Sequence, residues 1–327
     1  MTKKSRDEKQ LLALSGLPFG IGSMPNEDPL STCEMIVDNF PESPFWPELP
    51  KRSWRESMGV EQARDLPGMV TDEKNGRIFF DATKDISGDL EVFYNSYLDD
   101  DISKYAISGE FLSGLDAMIT TIKRRGLSPL VLKGQLTGPT TLGLILKDQK
   151  HKALLFNEQM MDVLTKATAM KAKWLVRLME KYCEVPIVFF DEPMLQSIGS
   201  ASVPIDKDMA IKRLKEIIDS VDCLTGGHCC GNTDWSILMA AGNDIIAFDA
   251  WSYLDTITLY TEELKDFIEN DGFLAWGIIP ASAEGASVGV EELKSRLQSG
   301  FSKVALKTGL SKEKLAKHSV ITPGCGL

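Results

Sequence analysis

The chain predicts a (β/α)8 barrel of the TIM type, and three observations predict it. From about residue 100 onward, short apolar runs alternate with longer amphipathic stretches. The runs are near-continuously hydrophobic, as the strands of a parallel sheet covered on both faces must be. Polar and thiol residues gather where the runs end, and that is where such a barrel carries its chemistry. A doubly wound open sheet is the competing arrangement, but the chain has no GxGxxG after a strand and no Walker loop. A barrel of this class takes ~250 residues plus insertions, so residues 1–327 form one catalytic barrel in this reading, with an N-terminal extension over 1–16.

The elements follow in order. The segment from about 17 to 100 is rich in Pro and Gly and reads as irregular excursions around short strands. PLVLKG (129–134), PIVFFD (186–191), DIIAFD (244–249), FLAWGI (273–278) and SVITP (319–323) read as buried strands. Between them lie helical patterns. The segment 155–182 sets Met160, Val163, Leu164, Ala167 and Met170 at helical spacing, and others fall near 207–220, 233–241, 258–270 and 290–299. The last strand has no helix after it, and residues 5–15 are expected to cover that gap.

Composition narrows the function. Thirty-six Lys and Arg against 47 Asp and Glu leave a formal charge of −11, a field that repels nucleic-acid phosphates. No stretch approaches ~18 uninterrupted apolar residues, so no membrane span is expected. The opening MTKKSRDEKQ lacks the apolar core of a signal peptide, which predicts a cytoplasmic protein. In a reducing compartment the six cysteines are not a disulfide framework, and no CxxC pair is present. Cys33, Cys183 and Cys223 read as core, and Cys229 as packing. Of the three histidines, His151 and His318 read as surface residues.

The remaining three form a pattern. His228 and Cys230 stand two apart in GGHCCGN at a strand end, where i and i+2 point the same way. Cys325 ends the last predicted strand, which a closed barrel brings beside the others. One imidazole and two thiolates make a soft N/S set suited to Zn2+, and three protein ligands leave one position open for substrate. A thiolate-rich zinc is matched to binding a substrate thiol and keeping its sulfur nucleophilic at neutral pH. Asp249, at the next strand end, is the candidate fourth ligand of a resting state. Asp191 and Glu192, in DEP at another strand end, could hold a substrate ammonium, and an acid there could equally cap the next segment. Ser23, in IGSMP, offers a carboxylate a hydroxyl and backbone groups.

IGSMP, GQLTGPTTLG, DEP, the H-x-C pair and the terminal CGL together resemble the catalytic barrel of cobalamin-independent methionine synthase. HCCGNT and PGCG also resemble methylcobamide:coenzyme M methyltransferases, and both groups belong to the uroporphyrinogen decarboxylase-like superfamily. The resemblance spans nearly the whole chain. It implies zinc ligands at His228, Cys230 and Cys325, an acidic fourth ligand at Asp249, and homocysteine's amino-acid part held by Ser23 and Asp191. Two departures stand out. The synthase's additional N-terminal barrel has no counterpart, and its DIHSPR-like segment, with the histidine that protonates folate, is replaced by IIPASAE (278–284). A methyl group on a corrinoid needs no such proton.

The expectation is therefore a zinc-dependent methyltransferase that moves a methyl group to a thiol, homocysteine above others. The donor is a methyl-corrinoid such as methylcobalamin, carried on a separate corrinoid protein. The alternatives are a methyl-tetrahydrofolate-dependent methionine synthase, a methylcobamide:coenzyme M-type enzyme, and a non-catalytic corrinoid-protein or thiol-binding partner. Decarboxylation is disfavoured, because that reaction uses no metal.

Overall fold

The structure, a computed structural model, describes residues 11, 13–200, 203, 205–282 and 285–327. Residues 1–10 and 12, most of the expected extension, lie outside the described residues, as do Ala283 and Glu284 of the 278–284 segment. After the helices Pro29–Asn39 and Val60–Ala63 comes an antiparallel hairpin of β1 (Met69–Asp72) and β2 (Arg77–Phe80). Six strands follow: β3 (Val131–Thr137), β4 (Val185–Asp191), β5 (Leu224–Cys229), β6 (Ile245–Phe248), β7 (Phe273–Ile279) and β8 (Ser319–Pro323). They pair in sequence order and all in parallel. Helices fill the crossovers, among them Glu158–Met179, Lys207–Ser220, Thr261–Glu269 and Val290–Thr308. The five runs predicted as strands are strands, and the hairpin falls in the segment read as irregular excursions around short strands.

What is shown is an α/β fold built on a curled, parallel six-stranded sheet. Among the described residues the eight regular strands of the expected barrel are not all present. Two early segments instead make isolated parallel bridges: Pro18 with Ile321 at the β8 edge, Phe45 with Lys133 at the β3 edge, and Ser23 with Glu48 between the segments. Phe19 N donates to Ile321 O at 2.8 Å, Trp46 N to Lys133 O at 2.9 Å and Glu48 N to Gly22 O at 3.0 Å. Proline explains the irregularity. Pro18, Pro25, Pro44, Pro47 and Pro50 have no N–H to give a ladder.

Side chains alternate across a strand, and here the alternation divides the core in two. Val131, Ile187, Phe189, Leu224, Ala247, Phe273 and Val320 pack on one another, so residues of β3 and β8 meet on the inner face of the curl. Leu136, Phe190, Ile246, Phe248 and Trp276 face outward into a separate core with the helices. Leu14, Leu17 and Phe19 belong to the inner cluster. The described part of the N-terminal segment thus plugs the inside of the sheet rather than covering β8 as a helix would. Farther along the strands the same inner face turns polar, with Lys133, Gln135, Thr137, Asp191, His228 and Thr322 all buried. No helix among the described residues is long and apolar enough to cross a membrane.

Candidate metal centre

His228 sits at the polar end of β5, in register with Asp191 on β4. The alternation points Cys229 the other way, into the outer core, where it is fully buried. Cys230 follows the strand end, and Cys325 lies on the tail after β8. Ligand atoms of His228, Cys230 and Cys325 all lie within 4.8 Å of one another. Among the described residues this is the one group of three or more His, Cys, Asp or Glu donors that converges so closely.

The donor set fits zinc. Zn–S near 2.3 Å and Zn–N near 2.0 Å imply ligand separations of roughly 3.5–3.8 Å around a tetrahedral ion. His228 is buried, yet neither ring nitrogen has a hydrogen-bond partner. An orphaned buried polar group costs about 1–3 kcal/mol, and a metal would relieve that cost. The close Cys230 thiol, and then the nearby imidazole, lower the Cys325 thiol below its ordinary range, while the same contact pushes Cys230 up.

The other predicted residues divide. Asp191 is buried beside His228, with Oδ1 unpartnered, and burial raises its carboxyl above the ordinary range. Ser23 is half-buried, and its carbonyl accepts from Leu327 N of the tail at 2.9 Å. Asp249 is not brought into the donor cluster: its Oδ1 caps the helix Ala250–Ile257 by accepting from Ser252 N at 2.9 Å. Glu192 is taken up by backbone and hydroxyl donors outside the donor cluster. Its Oε1 accepts from Thr140 N, and its Oε2 from Thr141 N and Oγ1, which caps the helix Pro139–Ile145. His318 is half-buried rather than a surface residue, its ring 5.0 Å from that of Phe273, whereas His151 is exposed.

Four polar residues went unpredicted. Lys133 Nζ donates to Ile21 O and to Gln135 Oε1, and burial lowers its amine to about 8. Gln135 Nε2 donates to Trp46 O and Glu48 Oε1. Burial, with the charge of Asp191 next in effect, pushes Glu48 up to about 7. Glu61 is buried with both carboxylate oxygens unpartnered, and Glu48, Glu56 and Asp191 are close enough to raise its pKa further. The signal for the first two was available: in VLKGQLT the polar residues Lys133, Gln135 and Thr137 recur with period two on a buried strand.

Glu192 carries a pH prediction. Burial raises its carboxyl from 4.5 to about 7, with the Thr140 and Thr141 donors opposing. A group whose pKa is raised by folding contributes fully below 4.5, and that contribution is lost as pH climbs through about 7. The shift corresponds to about 3 kcal/mol at most. Thermal unfolding is expected to show a melting temperature that falls between pH 5 and pH 8. In Glu192→Gln that slope flattens, at an overall cost of about 1–3 kcal/mol from the N–H groups left facing an amide. An unchanged slope in the variant would assign the pH dependence to other groups.

No protein-family model matches the chain, and no curated protein is similar to it in sequence. Solved structures do match. A methyltransferase from Methanosarcina mazei superposes with a TM-score of 0.57 over 98% of this chain and 93% of that one, at 16% identity. The two share a fold. A GH113 beta-1,4-mannanase covers 95% of this chain and 88% of its own at 11% identity, with a TM-score of only 0.38. At these identities the likeness speaks to architecture, and function has to be argued from the site.

Proposed function

We propose that the protein is a zinc-dependent methyltransferase that moves a methyl group from a methyl-corrinoid to a thiol, with homocysteine as acceptor and methionine as product. The observation that carries this reading is the convergence of one orphaned imidazole and two thiol sulfurs at the polar end of the sheet. His228, Cys230 and Cys325 would hold the ion. Zinc bound by such ligands lowers the pKa of an incoming thiol and leaves its sulfur nucleophilic at neutral pH.

The protein's own residues orient the acceptor. Asp191, buried with a free oxygen next to His228, accepts the ammonium of an amino-acid thiol, and Glu48 supplies a second carboxylate beside it. Lys133 does not compete as a hydrogen-bond partner, because it donates to Ile21 O and Gln135 Oε1. Ser23 takes the substrate carboxylate. In the transfer the acceptor sulfur would take the methyl group that a methyl-corrinoid donor would supply, the donor keeping the electron pair of the broken bond. The leaving group needs no proton, in keeping with a 278–284 segment that has no histidine. We read the two bridged segments around residues 18–23 and 45–48 as the first two members of a closed eight-membered barrel, which their parallel bridges to β8 and β3 support.

Zinc content and methyl transfer from methylcobalamin to homocysteine test the reading in the unsubstituted protein and in Cys325→Ser. The variant is expected to lose most of its zinc and its turnover together. Full activity without bound zinc would overturn the mechanism. Transfer to coenzyme M in preference to homocysteine would overturn the acceptor assignment, since a sulfonate thiol has no amine for Asp191.

A further inference from the structure

Cys325 is carried on a tail with an anchor on either side. Gly324 N donates to Ile279 O and Leu327 N to Ser23 O, both at 2.9 Å. The two flanking glycines are pressed against side chains. A Cβ on Gly326 would fall 2.7 Å from Cβ of Ser23, and one on Gly324 would fall 2.9 Å from both Cγ and Oδ1 of Asp249. Neither glycine has a positive φ, so the requirement is close approach rather than backbone freedom. Asp249 cannot simply yield, because its carboxylate is engaged by Ser252 N. The tail also borders an apolar recess of about 310 Å3, walled by Ser23 together with Met24, Met35, Ile36, Phe40 and Phe45. A tail pushed from its place has room to move there.

We propose that Ser23 and Asp249 are positioning residues for the metal centre. They wall a slot that admits only glycine at 324 and 326, and so hold the Cys325 sulfur within reach of His228 and Cys230. This rests on the metal reading above and adds to it a role for two residues outside the donor cluster. A β-carbon at 326 meets the Ser23 side chain and displaces the tail, which withdraws one thiolate and leaves His228 and Cys230 in place.

Cobalt(II) tests this without turnover, since it takes the same N and S donors as zinc and its thiolate-to-metal absorption scales with the number of thiolates bound. In Gly326→Ala that absorption is expected to fall to about half of the unsubstituted value, as two sulfurs become one, with the metal-free melting temperature unchanged. Adding Ser23→Gly to the same chain removes the atom struck and is expected to restore the full band. A full band in Gly326→Ala, or a loss that Ser23→Gly does not restore, would overturn the slot. Absence of thiolate absorption in the unsubstituted protein is a separate result: it would overturn the metal reading itself, and the slot with it.

Discussion

His228→Gln is expected to weaken zinc binding by roughly 100–1,000-fold and to reduce methyl transfer at least as much. Structural zinc sites gain about 10–16 kcal/mol from four ligands, so one ligand accounts for about 2.5–4 kcal/mol. The informative part is what happens without metal. Both nitrogens of His228 are buried and unpartnered, so the metal-free protein carries a cost of about 1–3 kcal/mol at this position. Replacement is therefore expected to leave metal-free stability unchanged or raised while metal-loaded stability falls. Paired melting curves with zinc and with a chelator read the two directly. An imidazole that served the fold through contacts of its own would lower both curves in the variant, and that outcome would count against a ligand role.

Periodicity and chemistry were legible to different depths. Buried parallel strands announce themselves because both faces are apolar, and SVITP is β8 residue for residue. The bridged segments around residues 18–23 and 45–48 escaped because Pro18, Pro44 and Pro47 interrupt any ladder pattern, so pairing there survives only as single bridges. At the site, His228 and Cys230 were visible from spacing and Cys325 from its strand end. Asp249 and Glu192 looked like site acids for the same reason, yet each ends at a helix N-terminus, where a carboxylate meets free backbone N–H groups. Strand-end position alone does not separate these roles, since the same loops start the next helix. Glu48 and Glu61 had no local signal. They lie in proline-rich or short helical segments, and only the tertiary fold brings them near Asp191.

Asp191→Asn keeps the shape of the side chain and removes its charge, and it is expected to lower kcat/KM for homocysteine by roughly 30–1,000-fold. That range is the effect of about 2–4 kcal/mol lost when one partner of a buried, hydrogen-bonded ion pair is neutralised. The free oxygen of Asp191 lies beside His228, and the nearby Lys133 amine is engaged elsewhere. An incoming ammonium is therefore the partner the carboxylate lacks. The argument turns on the amine, so the control is a thiol acid of the same length without one. For that acceptor the unsubstituted protein loses the contribution of Asp191 already, and Asp191→Asn is expected to change its rate little. Zinc content should be the same in both proteins, because Asp191 is not among the converging donors. Equal losses for the two acceptors would show that Asp191 acts on the metal centre through His228 rather than on the substrate, and the assignment of an amino-acid thiol would fall with it.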